Sequence, residues 1–315
     1  MPNIDKNYIS KLKVPNSCVC VILDGVHKSE LSDKCDGFVF DQQTLNIPAN
    51  AKIEKPIHLL FITSQNCNQK INIVAAPNSS FVLIEEHVSL KASPYSSNAT
   101  FNITAKNSSE ITYYKLQAEN SFATHNAQTN IKLEKNSKVI SGFIGKGAKI
   151  ARDTLHVELV EENASYSAIG IIALHDTQTL SYQTHIEHLA PNCTSNVLFK
   201  GLINDEAIGN FRCLVVAHPG AIKTETHVTN KNLLLSETAI MNTAPELEIY
   251  TDDVICTHGA TVGQLDQEAI FYLRSRGLAE NIATKLLTNA FAQEIIDQFI
   301  EPFRPKINLD IAYEH

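Results

Sequence analysis

The strongest constraint on the fold is a long series of strand signals with no helix between them. From Val19 to Tyr250 the sequence carries short apolar segments, each roughly four to nine residues long and mostly about 8–14 residues apart. In 100–104 and 130–134 apolar residues alternate with polar ones, which predicts strands with one buried face. The connecting segments are rich in Asn, Ser and Pro, which favour turns. A mainly β fold follows.

Three observations favour a β-solenoid over a sandwich or a barrel, which share this strand rhythm. No apolar helical stretch interrupts the series. The hairpin dipeptide Asp-Gly is confined to Asp24-Gly25 and Asp36-Gly37, near the beginning. Small residues and Asn recur at the turns, as solenoid corners require. No repeat of fixed length is visible, so the prediction depends on the strand rhythm.

The pattern changes to helical after Gly263. Asp266 is a suitable N-cap for a first helix, and Gly277 is a suitable terminator. A second helix is predicted over 279–300, ended by Pro302 and Pro305. Its apolar positions follow amphipathic steps and are Ile282, Leu286, Leu287, Ala290, Phe291, Ile295, Ile296 and Phe299. We expect this face to be buried on the sheet region or on a partner protein.

The predicted organisation has four parts: a leader or surface segment at 1–17, a β-helix core at 18–262, a helical C-terminal domain at 263–303 and a tail at 304–315. The net charge of -8 argues against broad binding to nucleic acid phosphates. No run approaches the ~20 apolar residues of a membrane helix, and no signal peptide is apparent. The seven cysteines are scattered and odd in number, which indicates reduced thiols in the cytoplasm. Cys18 and Cys20 are interpreted as ordinary strand cysteines.

Spacing alone indicates chemistry at one place, the pair Cys256 and His258 in a strand-like run. Side chains two apart in a strand share a face, so this thiol and imidazole lie side by side. Both are good ligands for iron and for iron–sulfur clusters, although ordinary strand residues remain the alternative. Asp252 and Asp253 precede them and offer hard oxygen ligands, but a turn is the favoured interpretation.

The other histidines carry less weight. His185 and His188 are three apart in a strand-like segment, so they face opposite sides and are interpreted as structural. His218 lies in a turn and is expected to be exposed to solvent. His227 lies on a predicted solvent-exposed strand face together with charged neighbours, and it is assigned no role.

The segment around the Cys-x-His pair is recognisable. The string DDVICTHGATVGQLDQEAIFYLRSRG resembles the C-terminal core of the SufB/SufD family of iron–sulfur cluster assembly proteins. The resemblance is strongest over 230–297 and looser over 150–230. Members of the SufB type carry an EHEA-like string where this sequence has His258-Gly259-Ala260, so the chain looks like the SufD branch. It is short for that family, and the usual N-terminal helical domain looks reduced to the leader.

The resemblance implies a right-handed parallel β-helix followed by a small C-terminal α-helical domain. It also implies a non-catalytic scaffold subunit that pairs with SufB through the β-helix, binds the ABC-type ATPase SufC through the C-terminal helices and takes part in iron supply. Cys256 and His258 match the family's Cys-x-His at the SufB–SufD interface. No tightly bound cofactor is expected, only transient iron or an iron–sulfur cluster shared with SufB. Arg274 and Arg276, otherwise a solvated helix end, lie near the implied ATPase-docking region.

Two other functions remain open at this point. A β-helix carbohydrate-active enzyme would need clustered carboxylates on exposed strands, and usually export. A stand-alone metal-binding homodimer would join two copies edge to edge. The sequence has no G-x-x-x-x-G-K-[ST] nucleotide-binding string and no G-x-S-x-G nucleophile elbow.

Overall fold

The computed structural model describes residues 4–41 and 43–309, and these ranges contain nineteen strands. The early strands are β1 (Cys18–Leu23), β2 (Val26–His27), β3 (Val39–Asp41), β4 (Thr44–Ile47), β5 (Ile57–Thr63), β6 (Cys67–Ala75), β7 (Ser80–Ser89), β8 (Ser96–Ala105) and β9 (Glu110–Ala118). The later strands are β10 (Thr124–Leu133), β11 (Lys138–Gly145), β12 (Ile150–Leu159), β13 (Ser165–Leu174), β14 (Thr179–His188), β15 (Thr194–Ile203), β16 (Ile208–Ala217), β17 (Glu225–Leu234), β18 (Ile240–Ile249) and β19 (Ile255–Gln264). The helices are α1 (Lys6–Leu12), α2 (Gln267–Ser275) and α3 (Glu280–Ile296), with a 3-10 turn at Arg304–Lys306.

The chain winds as a parallel β-solenoid, which confirms the predicted fold class. From β4 onward each strand pairs in parallel with the strand two further along, giving sheet A (β1, β2 and the odd strands from β5) and sheet B (β3 and the even strands from β4). Equivalent residues of successive turns are between 26 positions apart, as at Thr124 and Ile150, and 32 apart, as at Ile208 and Ile240. This unequal spacing is why no fixed repeat shows in the sequence.

The solenoid interior is filled by the inward side chains of both sheets, because strand side chains alternate between the two faces. An aromatic stack crosses the middle of this core. Ring centroids are 4.4 Å apart for Phe143 and Tyr182, 4.6 Å for Tyr182 and Phe199, and 5.1 Å for Phe199 and Phe211. Offset and tilted aromatic pairs add about 0.5–1.5 kcal/mol each to their area burial.

One corner of the solenoid is a column of residues in the left-handed backbone conformation. The column contains Asn50, Asn78, Ser108, Asn136, Asn163, Asn192, Lys223 and Asp253, with φ between 54° and 62°. Asn tolerates this conformation better than most residues. The side chains also stack, since Nδ2 of Asn78 donates to Oδ1 of Asn50 at 3.0 Å and Nδ2 of Asn163 donates to Oδ1 of Asn136 at 3.0 Å. The prediction that Asn marks the corners is confirmed.

The first turn of the chain departs from the regular winding. Asp24 and Gly25, with φ of 47° and 83°, form the tight turn between antiparallel β1 and β2, as this dipeptide predicts. The loop after β2 returns Cys35 to Cys18, and the two form a disulfide with Cα atoms 6.2 Å apart. The expectation of reduced thiols was therefore wrong for this pair. Five cysteines, among them Cys20 and Cys256, are free.

The helix boundaries follow from capping. The Asp266 carboxylate accepts hydrogen bonds from the backbone N–H groups of Glu268 and Ala269 at 2.8 and 3.4 Å, and Gly277 has a φ of 93°. Both caps are as predicted. Helix α3 ends at Ile296 rather than at 300. The Arg304 guanidinium donates to backbone carbonyls just beyond this end, so the chain turns before it reaches the prolines.

Helix α3 and the chain after it pack on the outer face of sheet A. Ala292, Ile295, Phe299 and Phe303 join a buried cluster with outward residues of sheet A. The buried Lys200 ammonium contacts the Glu294 carboxylate at 2.5 Å and so fastens the helix to the sheet.

The predicted apolar face of the second helix is only partly buried. Ile282 and Leu286, near the beginning of α3, are 50% and 51% exposed, and Ala290 is also exposed. The sheet region therefore buries the second half of the predicted face, and burial of the first half on a partner protein stays a prediction. The stripe turns away from the sheet there, and Ala283 and Thr288 are buried instead.

The ends of the chain lie partly outside the described residues. Helix α1 lies within the predicted leader, of which residues 1–3 are outside the described ranges. The predicted tail at 304–315 begins with the 3-10 turn, and its residues 310–315 are also outside. Among the described residues, no helix has the length and apolar character needed to cross a membrane.

We expect Gly142→Ala to destabilise the fold by about 1–3 kcal/mol, the usual cost of overpacking a core. An added Cβ would lie 2.5 Å from Phe299 Cε1 and 2.7 Å from Tyr114 Cδ1, at the contact between β11 and the C-terminal segment. The matched control is Gly263→Ala, where no atom lies within 4 Å of the added carbon. Chemical denaturation measures both, and equal stability of the two variants would show that this contact is loose.

Candidate functional site

Cys256 and His258 lie on β19, the last strand of sheet A, which pairs only with β17 within the described residues. They are register partners of Thr226 and Val228, both buried and inward-facing. The thiol and the imidazole therefore share the inward face, as their spacing predicts. Because no further turn among the described residues covers this face, Cys256 is only half-buried and His258 is exposed.

A line of polar side chains runs through the solenoid beneath Cys256. His188 Nε2 is 2.9 Å from Ser195 Oγ, and Ser195 Oγ is 2.7 Å from Thr226 Oγ1. Thr226 is the register partner of Cys256. Burial raises the pKa of the Cys256 thiol. The thiol is thus held in its protonated form at the end of a polar interior column, and a metal or a base must deprotonate it before it can act as a ligand.

The pair supplies two ligands and no more. Within the described ranges, three groups of at least three His, Cys, Asp or Glu side chains lie close enough to share a metal ion, and none contains Cys256 or His258. Asp253 is the last residue of the left-handed corner column, and its backbone carbonyl accepts a hydrogen bond from Lys223 at 2.7 Å. These contacts support the turn interpretation of Asp252 and Asp253.

His185, His188 and His227 have the expected orientations, whereas His218, which was predicted to be exposed, is part-exposed and contacts Glu187. His185 is outward and part-exposed while His188 is buried, so they do face opposite sides of β14. His227 is on a wet face, where it is 3.0 Å from Glu225 and 2.7 Å from Thr257.

The outer face of sheet B holds a group of side chains that the sequence did not reveal. Nε2 of His156 and Nε2 of His218 lie 2.8 and 2.9 Å from the two oxygens of the Glu187 carboxylate. Nε2 of His185 lies 3.8 Å from the same carboxylate. We call these four residues the outer histidine cluster. They come from positions on different turns, so only knowledge of the register could have brought them together.

A second unforeseen group is buried inside the solenoid and is called here the interior ionic cluster. Its members are Glu85, His87, Lys115, Glu119, His125 and Asp153. Lys115 Nζ lies 2.5 Å from Asp153 and 3.4 Å from Glu85. His125 Nδ1 lies 2.8 Å from Glu119 and its Nε2 lies 3.8 Å from Asp153. Carboxylates therefore face the Lys115 ammonium and the His125 ring within this cluster.

The histidines of the interior differ in charge. Burial alone would lower the pKa of His125, but the Glu119 carboxylate and the hydrogen bonds to Asp153 and Glu119 outweigh it and raise the pKa to about 9. Burial lowers the pKa of His188 to about 4, and it also lowers the pKa values of His58 and His87. His125 is thus a cation at neutral pH, which makes it a structural charge and not a free metal ligand.

Comparison with known proteins identifies relatives of the chain. The family described as "SUF system FeS cluster assembly, SufBD core domain" matches residues 61–291. The iron–sulfur cluster assembly protein SufD of Escherichia coli is 32% identical over 250 residues, which are 77% of this chain and 59% of that protein. A SufBD family protein of Synechocystis is 31% identical over 271 residues, 82% of this chain and 60% of that protein. The chain thus spans about 60% of the length of these relatives.

The interior charges predict a stability maximum near pH 6.5, the ordinary pKa of histidine. The raised pKa of His125 contributes stability that is complete below about pH 6.5 and is lost as the pH rises towards about 9. The lowered pKa of His188 costs stability as the pH falls from about 6.5 towards about 4. Each proton changes the free energy of unfolding by about 1.4 kcal/mol per pH unit.

Denaturant unfolding of the His125→Asn variant between about pH 6.5 and 9 tests the predicted loss of stability at alkaline pH. We expect its stability to vary less with pH than that of the wild type. The matched control is His227→Asn, which removes a part-exposed histidine of the outer face instead of a buried one. An unaltered slope in the His125 variant would show that His125 is not a buried cation.

Proposed function

The chain belongs to the SufBD core family of the SUF system for iron–sulfur cluster assembly, and from this membership we propose that it is a non-catalytic scaffold subunit. In this proposal it pairs with a SufB-type subunit through the open end of the solenoid and binds a SufC-type ABC ATPase through its C-terminal helices. The complex works in the cytoplasm, and ATP hydrolysis belongs to the partner. The family match favours this role over a β-helix carbohydrate-active enzyme.

The observation that carries the proposal is the open end of the solenoid. Strands β18 and β19 are ten residues long, are the last strands of their sheets and are largely exposed. Exposed large apolar side chains concentrate there: Ile240, Ile249, Tyr250, Ile255 and Val262. A long exposed edge strand presents unpaired N–H and C=O groups that another strand can satisfy. A second β-solenoid of the same cross-section is the partner that continues both sheets.

Cys256 and His258 give this end a chemical role. A thiolate and an imidazole suit iron and iron–sulfur clusters, and both lie on the uncovered inward face of β19. Two ligands leave the coordination of iron incomplete. A SufB-type subunit seated on the edge would bring its own side chains to the same face and supply the rest. Iron or a cluster is then transient cargo of the paired subunits.

The C-terminal helices offer a second surface. Phe271 and Tyr272 on α2 are 72% and 57% exposed. Ile282 and Leu286 on α3 are 50% and 51% exposed. Arg274 forms an exposed ion pair with Glu280 at 3.0 Å, which joins the two helices. Aromatic and aliphatic side chains grouped in this way are typical of protein interfaces. The proposed occupant is the ATPase.

The two surfaces can be separated by point variants in co-expression with the SufB-type and SufC-type subunits. We expect Val262→Asp to weaken binding of the SufB-type subunit at least tenfold, because a charge would be buried at the edge. The same variant should retain the ATPase. Ile282→Asp should have the opposite effect. Pull-down and mass measurement of the complexes report both outcomes.

The matched control is Val26→Asp, an exposed valine of the β1–β2 hairpin at the other end of the solenoid. It should retain both partners. Loss of both partners in every variant would indicate misfolding, and retention of both would refute the assignment of the surfaces. A homodimer that Val262→Asp disrupts, with no SufB-type partner bound, would support the stand-alone alternative instead.

The chemistry of the edge is tested by His258→Ala in the purified complex. We expect several-fold less cluster after anaerobic reconstitution with Fe²⁺ and sulfide, because one of the two ligands from this chain is missing. The composition of the complex should not change. His27→Ala, in the β1–β2 hairpin at the other end of the solenoid, is the control. Normal cluster yield in a Cys256→Ser, His258→Ala double variant would disprove the role of the pair.

A further inference from the structure

The outer histidine cluster lies on a different face of the molecule from Cys256 and His258. His156 on β12 and His185 on β14 are register partners on neighbouring strands of sheet B. Their rings are stacked with centroids 5.0 Å apart. Glu187 lies two residues after His185 and so projects from the same outward face. His218 follows the end of β16 and closes the group from the third strand.

Three of the four side chains, His156, His185 and Glu187, bring a ligand atom to one point, and His218 contacts the other oxygen of the Glu187 carboxylate. The Nε2 atoms of His156 and His218 each approach a different oxygen of the Glu187 carboxylate, at 2.8 and 2.9 Å. One ligand atom from each of His156, His185 and Glu187 lies within 4.8 Å of the others. Tetrahedral Zn²⁺ with ligands at ~2.0 Å needs ligand atoms ~3.3 Å apart. Small rotations of the side chains would bring the ligand atoms, now within 4.8 Å of one another, to this separation.

One nitrogen of the cluster has no hydrogen-bond partner among the residues that the structure describes. Nε2 of His185 is buried without a hydrogen bond, although the ring as a whole is part-exposed. A buried polar atom without a partner is costly, and such an atom calls for a bound ion or water.

The surroundings are acidic. Glu158 is the register partner of Glu187, and Glu248 on β18 is close enough to favour positive charge at His185. The Arg212 guanidinium, on β16, is bonded to the Glu246 carboxylate at 3.0 and 2.9 Å. Its charge is therefore compensated and does not oppose a bound cation. Side-chain exposures of 32% for His156 and 35% for His218 leave a path for entry.

We propose that the outer histidine cluster is a binding site for a divalent first-row transition metal, with His156, His185 and Glu187 as ligands and with His218 orienting the Glu187 carboxylate from its other oxygen. This donor set suits Zn²⁺, Ni²⁺, Co²⁺ and Fe²⁺ and disfavours Mg²⁺ and Ca²⁺, which prefer oxygen. The metal replaces the hydrogen bond between His156 and Glu187, and the ring proton of His156 moves from Nε2 to Nδ1 by exchange with solvent, which frees the Nε2 lone pair. The site is complete within one chain and does not depend on a SufB-type partner.

The test uses the full chain with Cys256→Ser and His258→Asn as background, so that the edge pair cannot contribute. We expect isothermal titration with Zn²⁺ to show one site per chain. Co²⁺ should give the intense visible bands of tetrahedral coordination. Adding His185→Ala should weaken the affinity at least tenfold, and His156→Ala with His185→Ala should abolish the Co²⁺ bands. Zn²⁺ should raise the melting temperature of the background protein but not of this last variant.

His227→Ala in the same background is the matched control, because His227 is an exposed histidine beside a single carboxylate, Glu225. It should bind Zn²⁺ as the background protein does. Equal affinity and equal Co²⁺ spectra in the background protein and the His156→Ala, His185→Ala variant would overturn the proposal. Since no partner subunit is present, this result is independent of whether the proposed scaffold function holds.

Discussion

The hydrogen bonding between strands of successive turns is the interaction on which the rest of the structure depends. Each strand satisfies its backbone groups by pairing with the turn before and the turn after, so a solenoid has no natural end. At the beginning of the chain the stack is closed by the short antiparallel strands β2 and β3. At the other end, β18 and β19 are ten residues long, and no further strand of the described chain pairs with their outer edges. This asymmetry makes one end a surface for pairing.

Burial decides what similar side chains do in different places. In the interior ionic cluster the charges are removed from water and neutralise one another, and His125 is held as a cation. Such a group fixes the packing of the turns and has no free ligand. In the outer histidine cluster three imidazoles share the single carboxylate of Glu187 and remain partly exposed. At the edge, no third ligand from the described residues joins Cys256 and His258. The last two arrangements suit metal chemistry.

The strand rhythm, the helix caps, the Asp24-Gly25 hairpin and the shared face of Cys256 and His258 could be predicted, because each depends on residues close in sequence. The repeat of the solenoid could not be predicted, because its turns differ in length and a search for a fixed period does not detect it. The Asn column of the corner, from Asn50 to Asn192, is the signal that could have revealed it. The outer histidine cluster depends on register between turns. The exposure of the first half of α3 could not be predicted either, because it depends on where the outer surface of sheet A ends.

Amide hydrogen exchange of β19 tests the central claim most directly. The measurement compares the isolated chain with the same chain bound to a SufB-type subunit, and β8 in the middle of sheet B serves as the internal reference. If β19 is an unpaired edge that a partner strand completes, the amides of 255–264 should exchange fast in the isolated chain and far more slowly in the complex. Those of β8 should be slow in both. Equal exchange of β19 in the two states, with the partner bound, would contradict the account.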